Sequence, residues 1–271
     1  NPQAWGFLRE FVEQYDAAIF HIDKFAKRDL LIRQFVVPPS IDPLSIKNIY
    51  LDRGSVERIL KAHGIDPDRP LISQIGRFDK LKDPEGVLRA YKLLKSPMGG
   101  GTARSVCGGI DCQLALVGGP AADDPEGFEV YESLIRRAEG DGDVHILLLP
   151  PNADLDINAI QRGSAVVLQK SLREGFALTV SEALWKGRPV VGGNAGGIPL
   201  QIIDGVNGFL VNSVEEAAER VRFLLKNPEE AERMGRAGIE HVRRNFLITR
   251  YIRDHLLIYL TMLYSREIYL I

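Results

Sequence analysis

Cysteine is nearly absent from this chain. Cys107 and Cys112 are the two it has, and both fall in one Gly-rich stretch. No second pair exists to complete a zinc site, so reduced thiols in a cytoplasmic protein are expected. Excess charge of one sign is absent too. A net charge of −2 gives no electrostatic reason to expect nucleic acid or another polyanion as partner. No apolar run is long enough to span a bilayer. The start, Asn1-Pro2-Gln3-Ala4-Trp5, has no basic residues leading into an apolar core, so no secretory leader is expected. A start without Met reads as a piece of a longer protein. No internal repeat is found. What remains is 271 residues of mixed charge, 45% hydrophobic, with room for one domain and part of another.

Short β-branched runs alternate with amphipathic ones. Strands are expected near 71–76, 114–117, 144–149, 165–169, 189–192 and 208–211. Helices are expected near 84–94, 125–138, 156–161 and 178–186. The strand runs are almost wholly apolar, which suits burial on both faces and therefore a parallel sheet covered by helices. The alternation specifies an α/β fold, a Rossmann-like parallel sheet with helices on both faces. Such sheets bind ligands at the carboxyl ends of their strands.

The two ends stand outside this sheet. Residues 4–14 read as a helix and 17–21 as one strand. Pro38-Pro39-Ser40-Ile41-Asp42-Pro43 reads as an extended hinge, because proline pushes its predecessor out of the helical region. At the far end come three helices, near 214–226, 228–245 and 248–263. The last is apolar over a wide arc (Ile248, Tyr251, Ile252, His255, Leu256, Tyr259, Leu263) and should pack on something large. Residues 96–109 form a Gly-rich insertion, longer than the usual helix-to-strand connection.

Two carboxylates eight residues apart, Glu174 and Glu182, flank a Gly-containing turn and a helix start near Leu178. The N–H groups of Phe176, Ala177, Leu178 and Thr179 would lack helical partners there and, with the helix dipole, would suit an anion. Gly175 would let the backbone approach a ligand. By spacing alone, an ordinary strand-to-helix turn with an acidic residue near the dipole is the better explanation of the stretch. The loop Gly76-Arg77-Phe78-Asp79-Lys80-Leu81-Lys82 adds weight, since Arg77 can fork onto phosphate oxygens and Lys82 can act as a point charge. Lys80 reads as a solvated surface charge. The histidines carry no partner pattern; His21 and His145 read as packing or surface residues.

These motifs resemble the retaining glycosyltransferases of family 4. Those carrying the likeness are Gly76-Arg77 with Lys82, Leu116-Val117-Gly118-Gly119, Glu174 through Glu182, Gly187-Arg188-Pro189-Val190-Val191, Gly196-Gly197-Ile198-Pro199 and Gly205-Val206-Asn207-Gly208-Phe209-Leu210. They cover about residues 71–245, in the family's order. Val37 through Leu44, Arg77-Phe78-Asp79, Asp123-Asp124-Pro125-Glu126-Gly127 and Arg173 through Phe176 are similar to the trehalose-synthase branch of that family, over the whole chain.

The resemblance implies two facing Rossmann-like domains, of which the carboxyl-terminal one binds a nucleotide-sugar donor. By that likeness Arg77 and Lys82 contact the diphosphate and Glu174 meets donor-sugar hydroxyls. The backbone of Gly175, Phe176, Ala177, Leu178 and Thr179 lies against sugar and phosphate. Glu182 takes the ribose, Gly118 belongs to the donor-binding set, and Leu148 with Leu149-Pro150 flanks the base. Ala177 stands where a Gly is frequent, and Leu200 where many relatives have Glu. No metal and no cofactor beyond the nucleoside diphosphate sugar is implied. The expected reaction is retaining transfer, of glucose, to a sugar acceptor, with glucose as acceptor giving trehalose. Alternatives are a nucleotide-sugar-binding module without turnover, or a trehalose phosphorylase-like or epimerase-like enzyme. Residues 1–40 are expected to be a remnant of the acceptor domain and hinge, 41–245 the donor domain, and 246–271 a crossover helix and tail. The uncovered apolar helix leads to an expectation of self-association or of a missing amino-terminal domain.

Overall fold

A computed structural model describes residues 2–96, 109–119 and 125–264. The Gly-rich insertion between Ser96 and Gly109, with Cys107, lies outside the described residues, as do Asp123, Asp124 and the tail from Ser265.

The main sheet has six parallel strands: β3 (Leu71–Ile75), β4 (Gln113–Gly118), β5 (Val144–Leu148), β6 (Val166–Gln169), β7 (Val190–Gly193) and β8 (Gly208–Val211). Their order is β5-β4-β3-β6-β7-β8. Every residue of β3, β4, β6 and β7 is buried, as their mostly apolar runs suggest. Alternate residues feed opposite cores. Ile72, Leu114, Leu116, Val166 and Leu168 pack with α3 (Pro84–Lys95), α4 (Pro125–Ala138) and α8 (Val214–Lys226). On the other face, Leu71, Ile75, Ala115 and Val117 meet α2 (Arg53–Ala62) and α5 (Asp154–Gly163). Val167 and Val190 there meet α6 (Leu178–Trp185) and α9 (Pro228–Asn245).

The chain order reverses in the middle of the sheet. From β3 it builds outward through β4 to β5, then returns to β6 on the other side and builds outward through β7 to β8. β3 and β6 are therefore neighbours whose following loops diverge, and the crevice between those loops is where sheets of this class take ligands.

Most elements stand where apolar periodicity places them. Among the α-helices and strands three do not: the short α7 (Ile198–Gln201), β2 (Arg33–Val36) and α2. The amino-terminal segment has α1 (Pro2–Val12) and two parallel strands, β1 (Ala17–Phe20) and β2, where one strand was expected. β2 has two polar residues in four and pairs only with β1, so its local signal is weak. α2 shows just two buried apolar residues, Val56 and Leu60, and its start is set by Asp52, whose carboxylate accepts from Ser55 N–H.

The last helix, α10 (Ile248–Tyr264), is fastened to the hinge. Ile41 N–H donates to Phe246 O at 2.8 Å and Ile248 N–H donates back to Ile41 O at 3.0 Å. The Arg250 guanidinium donates to Pro38 O at 2.7 Å and Pro39 O at 3.2 Å. Ile252, Leu256, Tyr259 and Leu263 of α10, with Phe7 and Phe11 of α1, are exposed. Among the described residues no helix is long and apolar enough to cross a membrane.

Candidate active site

The loop after β3 turns back on itself through Asp79. Its Oδ1 accepts from Leu81 N–H at 2.7 Å and starts a 3-10 turn over Lys80–Lys82. Gln74, buried in β3, donates from Nε2 to Lys82 O at 2.7 Å and fixes the end of that turn. The Lys82 ammonium thereby reaches the loop after β6 and forms a close ion pair with Glu174 Oε2. Glu174 is well anchored. Oε2 also accepts from Ser171 Oγ at 3.2 Å, and Oε1 accepts from Gly175 N–H at 3.0 Å. Only 9% of its side chain is exposed.

A second tie lies directly behind the first. Asp83 follows Lys82, sits in the left-handed region (φ 51°) and caps α3 by accepting from Gly86 N–H at 3.0 Å. Its other oxygen is 2.5 Å from Lys170 Nζ, and both side chains are almost fully buried. The loops after β3 and β6 are thus joined twice across the crevice.

The loop after β7 closes the third side. Gly196 (φ 55°) crosses so near the Glu174 backbone that an added Cβ would lie 1.9 Å from Glu174 O. Gly197 N–H donates to Gly175 O at 2.9 Å. Between these loops is a cleft of about 610 Å³, bordered by Arg77, Lys82, Glu174, Gly175, Asn194 and Gly196, and by Lys24 and Phe25 from the amino-terminal segment. The Arg77 side chain is 65% exposed, with Asp79 Oδ2 at 3.3 Å. The cleft can hold an anion at two cations and hydroxyls at a fixed carboxylate.

Arg77, Lys82, Glu174 and Gly175 therefore come together, and the other expected residues do not line this cleft. Phe176 is buried and packs edge-on against Phe246, ring centres 5.6 Å apart. Ala177 takes a left-handed conformation (φ 68°) to start α6, where Leu178 is exposed, and no described group accepts from the N–H of Leu178 or Thr179. Gly118 lies under the Phe78 ring, which a Cβ would meet at 2.7 Å, so packing explains that glycine. Leu148 is exposed at the end of β5.

Glu182 is buried inside α6, four residues from Lys186. Burial pushes its carboxyl up, opposed by the charges of Lys186 and Lys47. Burial pulls the Lys186 ammonium down to about 7, although it donates to Asn48 Oδ1 at 2.9 Å and to Glu182 O at 3.2 Å. Among the described residues no three His, Cys, Asp or Glu side chains cluster as metal ligands.

Lys24, Phe25, Asn194 and the Lys170–Asp83 tie escape the sequence reading. The Gly196-Gly197 pair was the one local sign of the third loop.

Known proteins resemble this chain in sequence and in fold. The trehalose synthase of Pyrococcus horikoshii is 44% identical over 259 residues, which are 94% of this chain and 60% of that protein. The trehalose synthase of Rubrobacter xylanophilus is 40% identical over 265 residues, 97% of this chain and 61% of that protein. The chain spans about three fifths of the length of these relatives. In fold it is similar to sucrose-phosphate synthase from Thermosynechococcus elongatus, with a TM-score of 0.78 at 20% identity over 98% of this chain and 63% of that one. The family profile described as "Glycosyl transferases group 1" matches residues 55–241, from within α2 to the last turns of α9, and the chain belongs to that family.

Proposed function

We propose that this chain is the donor-binding part of a retaining glycosyltransferase that moves glucose from a nucleoside diphosphate to a sugar acceptor, with glucose as acceptor giving trehalose. The observation that carries the reading is the joint placement of Arg77, Lys82 and Glu174 at the reversal point of the sheet. Cations and an anchored carboxylate side by side match a ligand that is diphosphate at one end and polyol at the other.

In the reaction the bond from the anomeric carbon to the diphosphate oxygen breaks, and its electron pair leaves with the phosphate. Arg77 and Lys82 stabilise that charge. The acceptor hydroxyl attacks on the face just vacated, and its proton passes to the departing phosphate oxygen. Glu174 acts as a positioner: both its oxygens already accept hydrogen bonds, so it is held to receive sugar hydroxyls rather than to attack. Glu182 would meet the ribose from within α6. The setting expected from the sequence is cytoplasmic.

The second reading is a nucleotide-sugar-binding module without turnover. Calorimetry with UDP, GDP and ADP, followed by product analysis with glucose and the matching nucleotide sugars, separates the two. Trehalose formation supports transfer, and donor binding without product supports the module. Arg77→Ala and Lys82→Ala should each weaken nucleoside-diphosphate binding by about tenfold. Equal affinity in both variants sinks the site assignment.

A further inference from the structure

A second cavity, of about 410 Å³, lies at the amino ends of the strands whose carboxyl ends carry the cleft. Its walls come from α2 (Val56, Glu57, Leu60), from the end of α5 (Arg162, Gly163) and from Arg188, two residues before β7. The intervening strands are four or five residues long, so roughly 13–17 Å of sheet separates the two sites.

Arg188 is held in place but has nothing to hold. The left-handed Gly187 (φ 72°) makes the turn out of α6, and Arg188 N–H donates to Ala183 O at 3.0 Å. Among the described residues its guanidinium has no ion-pair partner, and its Nε is buried without a hydrogen bond. A buried guanidinium N–H without a partner is costly. Arg162 stands on the same wall with its charge unneutralised. It donates to Asn158 Oδ1 at 2.9 Å, to Ile49 O at 2.8 Å and to Asn48 O at 3.2 Å, all uncharged acceptors, and lies over the Tyr50 ring. Burial, and then repulsion from Arg162, both pull Arg188 below its ordinary proton affinity. The acid on this wall, Glu57, is already paired with Arg53 at 2.5 Å.

We propose that this cavity binds the phosphate group of a small phosphorylated compound, with the Arg188 guanidinium as the fork that grips it and Arg53 at the exposed mouth. A guanidinium presents two parallel N–H groups that match phosphate oxygens. The volume is that of a small-molecule site rather than of a single ion. The site is separate from the donor cleft and stands whether or not the proposed transfer reaction is correct.

The test is calorimetric titration of inorganic phosphate, and then of glucose 6-phosphate, at constant ionic strength. The proteins are wild type, Arg188→Gln, Arg53→Gln, and the cleft double variant Arg77→Ala/Lys82→Ala with and without Arg188→Gln. The cleft variant should keep one phosphate site, and adding Arg188→Gln should weaken that site at least about tenfold. Arg53 is highly exposed, so Arg53→Gln should leave the fold intact and weaken the site by about threefold. Arg188→Gln alone should leave UDP affinity unchanged. Tighter binding of glucose 6-phosphate than of phosphate identifies a phosphate ester as ligand; equal binding identifies free phosphate. A cleft variant that binds neither compound overturns the proposal, as does one whose affinity ignores both Arg188→Gln and Arg53→Gln.

Discussion

Lys170→Met probes the tie behind the cleft. Methionine keeps an unbranched stem of similar reach and removes only the charge. Asp83 is then left as a buried carboxylate, since its side chain is 11% exposed and that of Lys170 is 6% exposed. Removing one partner of a buried pair typically costs about 3–5 kcal/mol. Asp83 keeps its hydrogen bond from Gly86 N–H and its place at the start of α3, and that dipole offsets about 1 kcal/mol. The expected loss is therefore about 2–4 kcal/mol, or a melting temperature lower by roughly 5–15 °C for a chain of this size. Urea unfolding followed by circular dichroism measures it. Combining Lys170→Met with Asp83→Asn should recover part of the loss, with a coupling of at least about 1 kcal/mol in the double-mutant cycle. Nucleoside-diphosphate affinity should fall with stability, because Lys82 precedes Asp83 and Glu174 lies on the loop that Lys170 begins. A single variant within about 0.5 kcal/mol of wild type, or a cycle without coupling, refutes the account of how the two loops are held.

Other perturbations give different signatures. Gly196→Ala would put a methyl group against Glu174 O in a backbone conformation unsuited to alanine. It should cost about 2–4 kcal/mol in urea unfolding and weaken nucleotide-sugar binding more than binding of the bare diphosphate. Ala177→Val should destabilise by about 1–3 kcal/mol, because a β-branched residue resists a positive φ. Ala177→Gly should change stability by less than about 0.5 kcal/mol, since relief of that conformation is offset by a looser unfolded chain. Lys186 gives a pH dependence. Its ammonium titrates near 7 in the folded chain, so between about pH 7 and the unfolded value near 10.4 the unfolded chain holds a proton that the folded chain has released. Stability from this group therefore rises with pH across that window. The wild-type stability minus that of Lys186→Met, measured at pH 7 and pH 9.5, should increase; a flat difference contradicts the burial argument.

The sequence carried the elements of the main sheet and much of one wall of the site, and the reason is locality. β3, β4, β6 and β7 are mostly apolar runs, α3 begins at a proline, and α8 is capped by Ser213, whose hydroxyl accepts from Glu216 N–H. Each of these signals acts within a few residues. β2 fails the same test, because Arg33–Val36 gains its strand only from β1. The order β5-β4-β3-β6-β7-β8 is likewise not a local property, yet it is what brings Arg77 and Lys82 beside Glu174.

The illegible residues share one character: their role is to compensate a distant partner. Asp83 reads locally as a helix cap, which it is, and nothing near it in sequence announces Lys170 beyond six intervening strands and helices. Lys170 reads as one more surface lysine. Arg188 is the converse case. It stands in a motif recognised for its turn and its strand, Gly187-Arg188-Pro189-Val190-Val191, and only its missing acceptor marks it as different. A polar side chain that folding leaves buried and unpaired carries no signature in the string of residues. It becomes visible when its surroundings are known, and it is then a reason to look for a ligand.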